Sequence, residues 1–158
     1  MAVDMFLKLE GVPGESIDKT HAGEIEVQSC SLGGSQGSGM ASGTGGTTGK
    51  VNLQDVHFSK SLDTASLVLF QKMCNGKHIP SALITFRKAG EKPLEYLKIK
   101  LTDIIVTNVS WGGSGGGDST SEQLSLAFTK IECEYFAQKA DGSGEKKGAA
   151  SWDQKTNS

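Results

Sequence analysis

The sequence predicts a mainly β fold: a compact β-barrel of antiparallel strands, with one short helix at about residues 62–75 and a long glycine-rich loop at about 33–50. Three observations carry this expectation. Outside the glycine runs, apolar and polar residues alternate with period two, the pattern of half-buried strands. In three places the alternation slips by one residue, which turns the core face to solvent unless the strand bulges or bends into another packed layer. One segment alone has helical spacing between capping residues.

The elements follow in order. From residue 3 to 9 the expected core face is Val3, Met5, Leu7 and Leu9, with Asp4, Lys8 and Glu10 between them. Ile25 and Val27, set among Glu24, Glu26 and Gln28, slip to Cys30 and Leu32. Val51 and Leu53 slip to Val56 and Phe58. The segment SKSLDTASLVLFQKMCNG offers Ser61 and Asp63 as N-caps, an apolar face of Leu69, Phe70, Met73 and Cys74, and Asn75-Gly76 as C-cap. Leu97, Ile99 and Leu101 alternate with Lys98 and Lys100, and Ile105, Thr107 and Val109 extend that face beyond Asp103. Leu124, Leu126 and Phe128 slip to Ile131, Cys133 and Tyr135. The repeated slips predict a strongly curved sheet.

A chain of 158 residues fits a single domain, read here as spanning 1–158, and is long enough to bury a core. Sixteen basic and 18 acidic residues give a net charge of −2 without a basic stripe, which disfavours nucleic acid as a partner. Apolar runs such as LVLF at 67–70 fall far short of the roughly 20 residues a bilayer needs, so no membrane insertion is expected. No signal peptide is read at the N-terminus, which places synthesis in the cytoplasm. Cys30, Cys74 and Cys133 form no close pair and read as buried small hydrophobes.

The stretch GSGMASGTGGTTGK at 37–50 imitates a phosphate-binding loop. It holds Thr44 where the motif needs glycine and Val51 where it needs Ser or Thr, and a strand follows where a helix should. G-x-S-x-G occurs at 33–37 and 112–116, around Ser35 and Ser114, but neither precedes a helical pattern. His21, His57 and His78 lack metal-ligand spacing. No catalytic set, cofactor or metal site is read, and an enzyme is not expected.

The run MAVDMFLKLEGVPGESIDKTHAGEIEV resembles the haemolysin-coregulated protein (Hcp) family of the bacterial type VI secretion system. The resemblance continues through GTGGTTGKVNLQDVHFSKSLD, NGKHIP, RKAGEKPLEYLKIKLTDIIV, GGSGGGDSTSEQLSLAFTKIE and EYFAQKADGSG. Among the matching positions are Gly14-Glu15-Ser16, His21, Gly49-Lys50-Val51, Gly76-Lys77-His78, Arg87 to Gly90 and Leu94 to Leu97. The chain differs from the family at Cys30 and Leu32, where tryptophan is frequent, at Met40-Ala41, where Met-His is frequent, and at Ser66-Leu67, where Ser-Pro is expected.

The resemblance implies a small β-barrel with a flanking helix, six copies of which close into a ring. Rings stack into a hollow tube inside a contractile sheath, tipped by a valine-glycine-repeat spike. Contraction then expels the tube from the cytoplasm to the exterior, with effector proteins in its lumen or on its spike. No fused effector domain is expected after SWDQKTNS. The family's long loop reaches a neighbouring subunit, which makes Gly39, Met40, Ser42, Thr44, Thr47 and Lys50 candidate interface residues. The slip after Val27 puts Ser29 and Ser31 on the polar side, as candidate lumen-facing cargo contacts. Two other classes remain on the sequence: a monomeric β-barrel that binds small ligands or peptides, and a hydrolase using Ser35 or Ser114.

Overall fold

Alternation becomes sheet along most of the chain. The computed structural model describes residues 2–38 and 48–158. In chain order its elements are β1 Val3–Leu9, β2 Ile25–Val27, β3 Ser29–Ser31, β4 Gly34–Ser38, β5 Thr48–Leu53, β6 Val56–Ser61, α1 Thr64–Asn75, β7 Ile79–Lys88, β8 Leu94–Gly112, β9 Ser121–Gln138 and β10 Gly144–Asp153. The main sheet is antiparallel in the order β2-β1-β7-β8-β9-β6-β3, with β10 paired to the second half of β9. Strands β4 and β5 form a separate hairpin, so the stretch expected as one long loop at 33–50 is strand at both ends.

The sheet does not close into the expected barrel by hydrogen bonding: β2 pairs with β1, and β3 pairs with β6 at the far end of the order. Yet only Gln28 separates β2 from β3, so the two ends of the sheet are joined by the covalent chain. The backbone N–H of Gln28 donates to Ser59 O at 2.7 Å, fixing the bend. This is the first phase slip. Ile25 and Val27 face the core, then Cys30 packs against it from β3, while Leu32, expected on the same side, is 41% exposed.

The second slip is the break at Gln54-Asp55, where the chain leaves the small hairpin and enters β6. The third involves two strands at once. Phe128 and Ile131 both face inward on β9, opposite Ile104 and Leu101 on β8, so both strands change face at Asp103 and Thr129. Asp103 adopts a left-handed backbone (φ 55°), and its carboxylate accepts from Thr129 Oγ1 at 3.2 Å and sits 2.6 Å from His78 Nδ1. The face beyond Asp103 is therefore Ile104 and Val106, not Ile105 and Thr107. A β-bulge between Val106 and Asn108 then inserts Thr107 and returns Val109 to the core side.

On β1, Val3 is 41% exposed and Phe6, on the face read as polar, is buried at 3% because the loop that follows folds over it. The helix starts at Thr64, with Asp63 rather than Ser61 as N-cap; its carboxylate accepts from Ala65 N and Ser66 N. Gly76 ends it in the left-handed conformation, φ 68°. Its buried face is Ala65, Ser66 and Leu69. Phe70 and Cys74, expected inside, point outward, Phe70 lying against Trp111 with ring centroids 5.0 Å apart and planes tilted by 31°.

The helix is rotated this way by a buried polar anchor. Lys60 and Glu122 have fully buried side chains and pair at 2.9 Å; Lys60 Nζ also donates to Asp63 Oδ1 at 2.7 Å and Ser66 Oγ at 3.1 Å. Ser66 Oγ in turn donates to Glu122. One buried ion pair thus fastens the helix N-terminus to β6 and β9. Removing one member of such a pair strands the other charge and costs about 3–5 kcal/mol. Lys60→Met is expected to lower stability by that order in urea unfolding, and Lys60→Met combined with Glu122→Leu to recover most of it. A double variant no more stable than the single one would refute the pairing account.

Candidate functional site

The outward residues of β3, β6, the second half of β8 and the first half of β9 form one continuous surface. Register places Ser29 beside Ser59, Ser31 beside His57, His57 beside Ser125, and Ser59 beside Gln123. Asn108 and Ser110 face Ser125 and Gln123 from β8, and Ser61 pairs with Ser121. None of these side chains carries a fixed charge. They bond mainly to one another: Ser29 Oγ to Ser59 Oγ at 2.5 Å, Gln28 Nε2 to Ser61 Oγ at 3.0 Å, and His57 Nδ1 to Ser125 Oγ at 2.6 Å. Ser29 and Ser31 are exposed as expected from the slip, with Cys30 turned to the core between them. Burial pushes the Cys30 thiol up to about 11, which keeps it protonated and unreactive at neutral pH.

The other half of the same sheet has the opposite character. Lys98 lies opposite Glu134 and Lys100 opposite Glu132 across β8 and β9, and Arg87 lies opposite Asp4 across β7 and β1. Opposite charges in register support the sheet and leave a dense charged surface.

A clamp fastens the loop at 10–24 to this charged half. His21 stacks on Phe6 with ring centroids 4.3 Å apart, and its nitrogens meet Glu24 at 2.9 Å and Glu95 at 2.8 Å. Two carboxylate partners require both nitrogens to donate, which only the imidazolium does. Burial alone would lower the His21 pKa, but the bonds to Glu95 and Glu24 and their charges outweigh it, and the net shift is upward. Beside it, Arg87 forks onto Asp18 at 2.7 and 3.0 Å and reaches Asp4 at 3.0 Å, holding the Asp18 carboxyl well below the usual carboxylate range. Gly14 is needed where it stands, because a Cβ there would come within 2.4 Å of Glu24 O. Glu15 accepts from Thr64 N at 2.8 Å and so ties the loop to the helix start.

These contacts bring Gly14, Glu15, His21, Arg87 and Glu95, matched positions far apart in sequence, into one network. A model of the family described as "Type VI secretion system effector, Hcp" matches residues 6–135. The chain belongs to the Hcp family of type VI secretion proteins. It is 49% identical over 143 residues to protein hcp1 of Pseudomonas aeruginosa, covering 90% of this chain and 88% of that one. Among solved structures it is similar to Hcp1 of Salmonella typhimurium (40% identity, 99% and 98% of the two chains, TM-score 0.81). It is also similar to a type six secretion system protein at 29% identity, with 99% of each chain covered and a TM-score of 0.93.

Of the residues expected at the Hcp loop interface, Lys50 lies exposed on β5, whereas Gly39, Met40, Ser42, Thr44 and Thr47 fall outside the described residues. Ser35 sits in β4 opposite Asn52, and Ser114 in the turn between β8 and β9. The histidines are engaged elsewhere, His21 by Glu24 and Glu95, His57 by Ser125, and His78 by Asp103. The buried Lys60 and Glu122 escaped the sequence reading, although phase marks both: Lys60 continues Val56 and Phe58 by steps of two, and Glu122 precedes Leu124 and Leu126.

The His21 clamp gives a signed pH dependence. A histidine whose folded pKa is raised stabilises fully below its unfolded value, about 6.5, and loses that contribution as pH rises through the folded value. Compared with His21→Gln, the native chain is expected to have a higher urea midpoint at about pH 6, with the difference shrinking toward about pH 9. A difference that stays constant over that range would show that His21 acts through packing alone.

Proposed function

We propose that this Hcp protein is the structural subunit of a type VI secretion tube: six copies close into a ring, rings stack, and the neutral serine-rich surface lines the lumen. The observation that carries this reading is the division of one sheet into a surface without fixed charge and a surface crowded with it. A passage for varied proteins works best with small neutral groups, which hold no substrate strongly, while charged groups suit contact with water or other subunits. Ser29 and Ser31 are then cargo contacts, and effector proteins are carried or chaperoned inside. The expelled tube is a secreted component, cytoplasmic before firing, and works with a contractile sheath and a valine-glycine-repeat spike. Its role is structural rather than enzymatic.

Head-to-tail contacts that close a ring occupy surfaces that would otherwise associate without limit. In this reading the stretch at 37–50 reaches a neighbouring subunit or ring through Gly39, Met40, Ser42, Thr44, Thr47 and Lys50. Negative-stain microscopy of the purified chain is expected to show six-fold rings, and deletion of residues 39–46 to give a folded protein of smaller mass in size-exclusion with light scattering. Monomers from the native chain would favour a solitary binding module instead, and intact rings from the deletion would remove the loop from the interface. Ser31→Phe is expected to keep the ring while cutting the yield of co-purified cargo several-fold; an unchanged yield would remove Ser31 from the cargo surface.

A further inference from the structure

The neutral surface has one interruption. Thr107, the residue inserted by the bulge in β8, turns its hydroxyl to Asp55, donating to Oδ2 at 2.7 Å, and lies 3.1 Å from Ser125 O. Beside the bulge lies a depression of about 430 Å³ lined by Asp55, His57, Thr107, Asn108, Gln123, Leu124 and Ser125. Asp55 is, among the described residues, the single carboxylate of this lining, and no Lys or Arg shares it. Among the described residues its Oδ1 accepts no side-chain hydrogen bond, whereas Oδ2 is fixed by Thr107. Asn108 and Gln123 contribute amides to the same lining, Asn108 Oδ1 also accepting from Ser110 Oγ at 3.2 Å, and His57, held at Nδ1 by Ser125, leaves Nε2 for a ligand.

The geometry points to a binding site for an arginine side chain of a protein cargo, with Asp55 as the ion-pair partner and the neutral polar groups of the same lining as further hydrogen-bond partners. A carboxylate that shares its lining with two amide oxygens and the free Nε2 of His57 offers several acceptors to the planar five-donor fork of a guanidinium, more than the compact charge of an ammonium can use. Anions find no Lys or Arg in the described lining, and any group that enters must replace the water on the Asp55 carboxylate, which a cation does best. The depression has room for the group. On a surface otherwise free of charge, a single carboxylate selects for cationic segments without the general adhesion that many charges would cause.

This inference rests on the tube reading only in naming cargo as the source of the arginine; the site itself is present in each subunit. The test is fluorescence anisotropy of the full-length chain with a fluorescein-labelled Gly-Arg-Gly-Arg-Gly peptide and its citrulline counterpart, which keeps the shape and loses the charge. The arginine peptide is expected to bind roughly fivefold or more tighter. Asp55→Asn should remove that preference, and Glu91→Gln, which deletes one negative charge on a distant turn, should leave it. Equal affinities of the two peptides for the native chain would overturn the site, as would a preference that survives Asp55→Asn or disappears equally in Glu91→Gln. Loss of discrimination with rings intact ends this inference and leaves the tube; discrimination without rings does the reverse.

Discussion

The structure depends on a covalent constraint: residues 25–31 supply both end strands of the main sheet. A sheet whose first and last strands are consecutive in sequence must curl until its two ends meet, whatever the middle strands prefer. Gln28 is the hinge, and its backbone bond to Ser59 O sets how far β3 swings onto β6. Because side chains alternate in a strand, a single residue spent on the bend reverses the faces, so Ile25 and Val27 point in before it and Ser29 and Ser31 point out after it. The interior and the neutral surface are therefore fixed by the same residue.

Short strands cannot hold such a bend by ladder bonds alone, since β2 and β3 have three residues each. Polar fasteners reinforce it. Upstream, the loop at 10–24 packs Gly14 against the backbone at Glu24 and Ile25, and the His21 and Arg87 ion pairs press it onto β1, β7 and β8. Downstream, Lys60 and Glu122 lock β6, the partner of β3, to β9 and to the helix. Charges in such places cost solvation and are tolerated because each has several partners; Lys60 has an ion-pair or hydrogen-bond contact to Asp63, Glu122, Ser66 and the Ser61 carbonyl.

Period-two alternation and its slips were enough to read the fold class from sequence, because both are local properties of a strand that buries one face. The slips at Gln28 and between Phe128 and Ile131 became a bend and a double change of face. What alternation cannot show is burial on both faces: Phe6 shares a face with Asp4 and Lys8, and the loop that covers it comes from residues with no periodicity. Hydrophobicity favours Phe70 and Cys74 for the buried face of the helix, whereas a serine, Ser66, sits inside, held by partners 6 and 56 residues away. Closure by covalent continuity is likewise a matter of topology, and no window of sequence contains it. On the candidate surface, Ser29 and Ser31 were legible from phase, but His57, Gln123, Ser125 and Asn108 join them only through register. The Thr107 bulge beside the depression has no sequence mark beyond the return of Val109 to the core phase.

The two outward surfaces owe their separation to the length of β8 and β9, at 19 and 18 residues the longest strands of the chain. Strands of that length cannot stay flat against a small core, and both change face at Asp103 and Thr129. On one side of that point the outward residues are Lys98 and Lys100 against Glu134 and Glu132; on the other they are Asn108 and Ser110 against Ser125 and Gln123. A shorter pair would need a second sheet to present both characters. Here a single hairpin does so, and its turn of face coincides with the left-handed Asp103, so the boundary between charged and neutral surface is held by backbone geometry rather than by side chains alone. Substitutions on either side can then alter the chemistry of one surface without moving the other.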